Sequence, residues 1–182
     1  INGIHYDYIR YHNPNYGYNE IGLSDFKKKY YNHDVNNEAL FSEFKRNSIT
    51  EFVKEASKVI KLNSDGIIIS AAVKPNIYDA KLLFCQEWDL WLSAGYLDWA
   101  VPMNYMVKND DFTQNMYLIR DNLPRKYHNK IIVGISIYNQ NAKLAGKKIE
   151  RLRKMNFKNI SIFSYTEFDK NPYYWKKLKK YF

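Results

Sequence analysis

Apolar runs of strand length alternate with segments of helical spacing along most of this sequence, and this alternation restricts the choice of fold more than any other pattern in it. The apolar runs lie at residues 66–73, 98–105, 130–138 and 159–165. The segments of helical spacing that follow them lie at residues 78–93, 111–123, 142–155 and 173–181. Strands that are apolar along their whole length are buried on both faces, as in parallel sheets covered by helices. The alternation therefore predicts an α/β fold built from βα units with right-handed crossovers.

The first third of the chain fits the same scheme around one irregular stretch. Residues 1–11 are predicted to form a strand and its exit, and residues 44–62 are predicted to form an amphipathic helix. Ser48 is the expected N-cap of that helix, because Glu51 follows three residues later as in a capping box. Residues 11–42 are polar and rich in Tyr and Asn, so we expect a long loop there, of a length that is usually functional.

The pattern amounts to five βα units, whereas a TIM-type (β/α)8 barrel has eight. Five parallel strands form either an open sheet or an incomplete barrel, and composition and periodicity leave both open. Residues 1–182 are treated as a single domain, because no Pro- or Gly-rich linker divides them. An incomplete barrel leaves two sheet edges unpaired, so we expect self-association or a partner at the first strand.

The composition is that of a folded protein rather than a disordered or membrane-spanning one. Hydrophobic residues make up 46% of the chain and charged residues 26%, values that fit a packed core. No apolar run approaches the ~18 residues of a transmembrane segment. Cys85 is the only cysteine, which excludes an internal disulfide and a cysteine-cluster zinc site. We therefore expect a buried Cys85, no metal site and no cofactor.

The net charge of +9 is compatible with a nucleic-acid partner, but the basic residues are dispersed. Most of the excess is lysine on predicted helix faces, for example Lys143, Lys147, Lys148 and Lys154. These lysines are interpreted as solvated surface, so no nucleic-acid partner is expected. The weaker alternative, a basic binder of nucleic acid or of an envelope polyanion, requires the lysines to form one stripe.

Polar and aromatic side chains follow the predicted strands at their carboxyl ends, where ligands bind in parallel α/β folds. In the first strand, the period of two places His5 and Asp7 on one face and Ile4 and Tyr6 on the other. The later strands end in amides, hydroxyls, rings and a carboxylate, at residues 103–105, 136–138 and 164–167. Such a mixture suits a sugar, whose faces stack on aromatic rings and whose hydroxyl groups need directed partners.

Five motifs, in order along the chain, resemble the glycoside-hydrolase-like 10 family of glycosyl hydrolases. GIHYDYIRY at residues 3–11 resembles the Gly-Ile-His-(Phe/Leu)-Asp-Tyr signature of that family, and YGYN at residues 16–19 resembles the motif that follows it. The longest match is QEWDLWLSAGYLDWAVPMNY at residues 86–105. VGISIY at residues 133–138 and IFSY at residues 162–165 resemble the last two strands of the family.

The resemblance implies a (β/α)8 barrel in which residues 1–182 run from strand 4 to helix 8 and three βα units precede them. It also implies hydrolysis of a glycosidic bond in a bacterial cell-envelope polysaccharide, such as peptidoglycan glycan strands without their peptides, outside the cytoplasm. The chain departs from the family pattern at three places. Asn2 and Glu87 stand where the family has Asp, and His12-Asn13 is inserted before Pro14. None of these departures removes Asp7.

Two carboxyl groups near the predicted sugar site are the candidates for catalysis, because glycoside hydrolysis needs one acid and one base or nucleophile. Asp7 is the first, since the family signature centres on it; its alternative role is an ion pair with Arg10 or a turn cap. Glu167, just past the last strand, is the second, and its alternative role is a solvated loop glutamate. Asp98, at the start of its strand, is interpreted as structural.

The remaining candidates are predicted to bind the sugar. They are His5, Tyr8, Arg10, Glu87, Trp88, Asn104, Tyr105, Tyr138 and Tyr165. Arg10 has a further candidate partner in an acidic sugar substituent, and Trp88 has core packing as its alternative role. A barrel that binds glycans without cleaving them is the second functional hypothesis, and analysis of reaction products separates the two.

Overall fold

The computed structural model describes residues 1–31, 33–64 and 66–182. Strands and helices follow one another there as β1 (Gly3–Tyr6), α1 (Glu20–Lys29), α2 (Glu38–Asn63), β2 (Ile68–Val73), α3 (Ile77–Phe84), α4 (Trp88–Ser93), β3 (Trp99–Pro102), α5 (Asn109–Asn122), β4 (Ile132–Ser136), α6 (Ala142–Lys154), β5 (Asn159–Phe163), α7 (Thr166–Lys170) and α8 (Pro172–Leu178). Short 3-10 helices lie at Arg125–Lys130 and Lys179–Tyr181. The five predicted strands are therefore confirmed.

The chain divides into two compact units. Unit 1 comprises Ile1–Ala71 and Ile77–Asp98, and unit 2 comprises Ala72–Asn76 and Trp99–Phe182. Strand β2 contributes to both units, since the division falls within it. Among the described residues, no helix combines the length and the apolar character that crossing a membrane requires.

In unit 1, strand β1 lies parallel to β2, with His5 opposite Ser70 and Tyr6 opposite Ala71. Along β1, His5 is exposed whereas Ile4 and Tyr6 are half-buried, which confirms the predicted alternation of faces. Asp98 is also confirmed in its structural role. Its carboxylate accepts a hydrogen bond from the backbone N–H of Ile69 at 2.9 Å and lies 3.6 Å from the ammonium group of Lys61.

The long loop expected at residues 11–42 is wrong in part, because α1 and the start of α2 lie within it. Asn19 and Asn37 supply the N-caps of these two helices, each accepting a backbone hydrogen bond from the first turn. Ser48, the expected cap, instead lies inside α2 and donates its hydroxyl proton to the carbonyl of Phe44 at 2.8 Å. Two of the asparagines that suggested a loop are thus helix caps.

The single helix expected over residues 78–93 is two helices, α3 and α4, with a break at Cys85. The backbone of Cys85 has a φ of 54°, a left-handed conformation through which a right-handed helix cannot continue. The N–H of Gln86 then donates to the carbonyl of Ala80 at 2.8 Å. The side chain of Cys85 is buried, as the sequence predicted.

In unit 2, the strands are also parallel. Strand β4 pairs with β5 from Ile132 opposite Asn159 to Ser136 opposite Phe163. Strand β3 meets β4 at two parallel bridges, Ala100 with Ile131 and Met103 with Gly134. The carboxyl ends of β3, β4 and β5 therefore lie together at one edge of this unit.

Candidate functional site

Asp7 lies directly after β1 in unit 1, and its side chain is exposed. Its carboxylate accepts a hydrogen bond from the backbone N–H of Tyr8 at 2.8 Å. Within residues 1–31, 33–64 and 66–182, no basic side chain forms an ion pair with it, so the alternative ion pair with Arg10 is absent there. The carboxylate is therefore accessible to a ligand at the carboxyl end of a parallel strand.

His5 shares the exposed face of β1 with Asp7. Its Nδ1 lies 2.8 Å from the Oγ of Ser70, the residue opposite it on β2. This contact fixes the ring on its strand and leaves the other ring nitrogen for a further partner. No group of three or more His, Cys, Asp and Glu side chains in the described residues could hold a metal ion.

The loop after Asp7 is held in a defined conformation by a tight turn and a buried amide. Tyr8 has a φ of 53°, and the N–H of Arg10 donates to the carbonyl of Tyr8 at 2.7 Å. The side-chain amide of Gln86, which is fully buried, donates to the carbonyl of Ile9 at 3.2 Å. Sequence reasoning missed this role of Gln86, although its place at the head of the motif at residues 86–105 was a signal.

Arg10 lies in this loop with its guanidinium group against two aromatic rings. Its central carbon is 4.8 Å from the ring centroid of Tyr8 and 5.7 Å from that of Phe84. The Nε atom is buried without a hydrogen-bond partner. Among the described residues, the guanidinium group thus contacts two rings and forms no ion pair.

A buried lysine fixes the next part of the same loop. The ammonium group of Lys45, on α2, donates to the carbonyls of Pro14 at 2.7 Å and Tyr16 at 3.2 Å. It also lies 5.2 to 5.5 Å from the ring centroids of Tyr11, Tyr18 and Phe41. Burial lowers the pKa of Lys45.

Glu87 and Trp88, two predicted sugar-binding residues, take part in helix packing in unit 1. The carboxylate of Glu87 lies 3.3 Å from the ammonium group of Lys81 and 3.9 Å from the Nε of Arg46, and its side chain is only 12% exposed. Trp88 is fully buried. These surroundings favour a supporting role for both residues over direct contact with a sugar.

In unit 2, three rings meet at the carboxyl ends of three parallel strands; we call Tyr105, Tyr138 and Phe163 the aromatic cluster. The rings of Tyr105 and Phe163 are stacked, with centroids 5.4 Å apart and planes at 10°. Tyr138 meets both rings edge-on, at 6.3 Å and 6.1 Å. Tyr138 and Phe163 are about half exposed, so the cluster offers ring faces of the kind on which sugars stack.

Phe163 was not among the predicted site residues. The sequence placed it inside the last apolar strand, and only its position at the carboxyl end of that strand marked it. A network of side-chain hydrogen bonds connects Ser136 and Asn139 to the backbone of Tyr105. The side-chain amide of Asn139 donates to the carbonyl of Tyr105 at 3.2 Å and accepts from the hydroxyl of Ser136 at 2.7 Å.

Lys148 anchors the loop that follows Tyr105, and its interpretation as solvated surface is wrong. It is 1% exposed, and its ammonium group donates to the carbonyls of Met106 and Val107 and to the side-chain oxygen of Gln140. The ring centroid of Phe112 lies 5.2 Å away. Burial lowers the pKa of Lys148 to about 8. The signal was its position in the apolar stripe of α6, four residues before a buried Leu152.

Asn104, a predicted sugar-binding residue, is buried with both ends of its amide engaged. Its side-chain nitrogen donates to the carbonyl of Phe112 at 2.9 Å, and its oxygen accepts from the amide of Asn115 at 3.1 Å. These bonds favour a role in holding the end of β3 against α5.

Glu167, the second predicted carboxylate, lies in the first turn of α7. It forms an ion pair with Lys170 at 2.7 Å and is 21% exposed. Burial raises the pKa of Tyr174 to about 12, and the charge of Glu167 adds to that shift. Tyr165 is 74% exposed and contacts Phe168 edge-on at 6.1 Å. Its ring is therefore available to a ligand.

Comparison with known proteins gives a structural likeness but no sequence relative. No protein-family model and no curated protein sequence matches the chain. The structure is similar to the PgaB (BpsB) glycoside hydrolase domain from Bordetella bronchiseptica, with a TM-score of 0.73 over 94% of this chain. Sequence identity is 9%, and the chain spans 54% of that solved chain, about half its length. The likeness supports the α/β class with parallel strands and is consistent with part of a TIM-type fold.

Proposed function

We propose that this chain is part of a glycoside hydrolase acting on a cell-envelope polysaccharide, and that Asp7 is one of its two catalytic carboxyl groups. The observation that carries the proposal is the placement of Asp7, an exposed carboxylate directly after a parallel strand and without an ion pair among the described residues. Ligands of parallel α/β proteins bind at this end of the strands.

Two further arguments support the same reaction class. The fold is similar to that of a glycoside hydrolase domain from Bordetella bronchiseptica. The motifs at residues 3–11 and 86–105 resemble the glycoside-hydrolase-like 10 family. That resemblance is our basis for proposing a (β/α)8 barrel, bacterial envelope glycans as substrate and a location outside the cytoplasm.

The proposed chemistry follows from the need for two carboxyl groups at an oxocarbenium-like transition state. Asp7 acts as the acid or as the base or nucleophile, and Glu167 is our candidate for the other group. His5, oriented by Ser70, offers a ring nitrogen to a sugar hydroxyl. The aromatic cluster provides ring faces for sugar stacking.

Asp7→Asn tests the proposal, since it removes the charge and the transferable proton while preserving shape. Cleavage of peptide-free peptidoglycan strands and other envelope polysaccharides, measured as new reducing ends, should fall at least about 100-fold. Asp25→Asn is the matched control, because Asp25 is an exposed acid on α1 whose ion pair with Lys28 lies at the surface. Circular dichroism should be unchanged in both variants. Full activity of Asp7→Asn would remove Asp7 from the mechanism.

A carbohydrate-binding protein without catalysis is the second candidate. It is favoured by the ion pair that engages Glu167 with Lys170, together with the exposed rings of the aromatic cluster. Mass spectrometry of glycans after incubation separates the two functions. Binding without shorter products supports the second candidate, and shorter products support hydrolysis.

A further inference from the structure

A groove of about 320 Å³ is formed in unit 1 by the loop that follows Asp7 and by one side of α2. Residues 8–11 line it from the loop, and Ser48, Ile49 and Phe52 line it from the helix. The first lining residue, Tyr8, directly follows Asp7 in the sequence. The groove therefore begins beside the proposed catalytic carboxylate in the chain.

Arg10 is the one basic side chain among the residues that line the groove. Its Nε is buried without a hydrogen-bond partner, and its guanidinium group has the rings of Tyr8 and Phe84 as neighbours. In the described part of the chain, no carboxylate forms an ion pair with it. Because the Nε atom is enclosed by protein atoms, a ligand in the groove would meet the guanidinium group through its terminal nitrogens, for which no carboxylate of the described residues competes.

The other residues that line the groove restrict the charge and shape of the ligand that fits it. Ile9, Ile49 and Phe52 provide apolar walls, and the hydroxyl of Ser48 already donates to the carbonyl of Phe44. With one cation available, the groove suits a singly charged group better than a phosphate dianion. A carboxylate matches the planar fork of a guanidinium group and can be carried on an apolar stem.

We propose that this groove binds a carboxylate substituent of the glycan, with Arg10 as its ligand. The proposal rests on the proposed function for its placement on a glycan, but binding does not require cleavage. The shared chemistry is a sugar carboxylate, which comes either from the ring, as in a uronic acid, or from an ether side chain, as in a muramic acid.

Titration of the full chain with three monosaccharides tests the proposal. Glucuronic acid and N-acetylmuramic acid represent the two sources of carboxylate, and N-acetylglucosamine is the neutral probe. Arg10→Gln should weaken binding of at least one acid by tenfold or more and leave binding of N-acetylglucosamine unchanged. Arg125→Gln, which alters an exposed arginine in unit 2, is the matched control and should leave all three affinities unchanged.

A second readout uses the unaltered chain, in case Arg10→Gln disturbs folding. In ¹⁵N-arginine-labelled protein, the Nε–H signal of Arg10, assigned from its loss in Arg10→Lys, should shift with the acid and not with N-acetylglucosamine. Equal effects of acidic and neutral sugars on that signal, or unchanged affinities in a folded Arg10→Gln, would overturn the inference.

Cleavage is scored separately so that the two proposals can fail independently. A chain that cleaves no glycan but binds an acid through Arg10 overturns the proposed hydrolysis alone. A chain that cleaves glycans with no preference for carboxylate, in the wild type and in Arg10→Gln alike, overturns the carboxylate site alone.

Discussion

Each of the two units buries a lysine on a helix, and both lysines hold the loop that follows a strand. Lys45 holds the loop after β1 through the carbonyls of Pro14 and Tyr16. Lys148 holds the loop after β3 through the carbonyls of Met106 and Val107. In neither case does a carboxylate pair with the ammonium group, as far as the described residues extend. Backbone carbonyls take the place of the counter-ion that a buried charge usually requires.

The two environments differ in what surrounds the rest of the ammonium group. Lys45 has three aromatic rings within 5.5 Å, whereas Lys148 has one ring and the side-chain oxygen of Gln140. Rings also accept an apolar side chain, but carbonyl and amide oxygens need a donor. The difference teaches that the loop of unit 2 depends on the amine itself, and the loop of unit 1 depends partly on the bulk of the side chain.

Of the variants that test this difference, Lys148→Met should have the largest effect on the free energy of unfolding. It removes the buried ammonium group that donates to three oxygen acceptors, so we expect the free energy of unfolding to fall by about 3 kcal/mol. Urea denaturation followed by circular dichroism measures the change. Lys147→Met, an exposed position on the same helix, is the control and should change stability by less than about 0.5 kcal/mol. Equal stability of the two variants would contradict the assignment.

Lys45→Met should cost less, about 1 to 2 kcal/mol, because the methionine side chain keeps contact with the three rings while two carbonyls lose their donor. The same denaturation experiment measures it, with Lys58→Met on the exposed side of α2 as the control. A cost as large as that of Lys148→Met would remove the distinction between the two environments.

The pH dependence of the free energy of unfolding should show a smaller effect of Lys148. The pKa of Lys148 is lowered to about 8 in the folded chain, against about 10.4 for an unperturbed lysine. Between these pH values the unfolded chain binds a proton that the folded chain has lost, so the free energy of unfolding rises with pH. The stability difference between wild type and Lys148→Met should grow by about 1 kcal/mol from about pH 8 to about pH 9. Lys147→Met, which keeps the buried ammonium group of Lys148, is the control in this pH series.

The sequence predicted the parts of the fold that depend on apolar pattern. The five strands follow from apolar runs, and the exposed face of β1 with His5 follows from the period of two. The burial of Cys85 follows from its apolar neighbourhood. These features are local, so a single stretch of sequence contains the information.

The features that sequence reasoning missed depend on contacts between distant segments. The backbone carbonyls that accept from Lys45 and Lys148 lie more than twenty residues away in the chain, so neither hydrogen-bonded site could be read from the sequence around the lysine. Gln86 supports the carbonyl of Ile9 across 77 positions. The placement of Phe163 in the aromatic cluster likewise required the pairing of three strands.

The thiol of Cys85, at the break between α3 and α4, is a natural chemical probe of local opening. Cys85 is the only thiol in the chain, it is buried, and burial raises its pKa, so alkylating reagents reach it only when this segment opens. Gln86 next to it holds the carbonyl of Ile9, within the loop that carries Arg10. The alkylation rate of Cys85 therefore measures how often the segment that holds the Arg10 loop opens, without a label or an engineered residue.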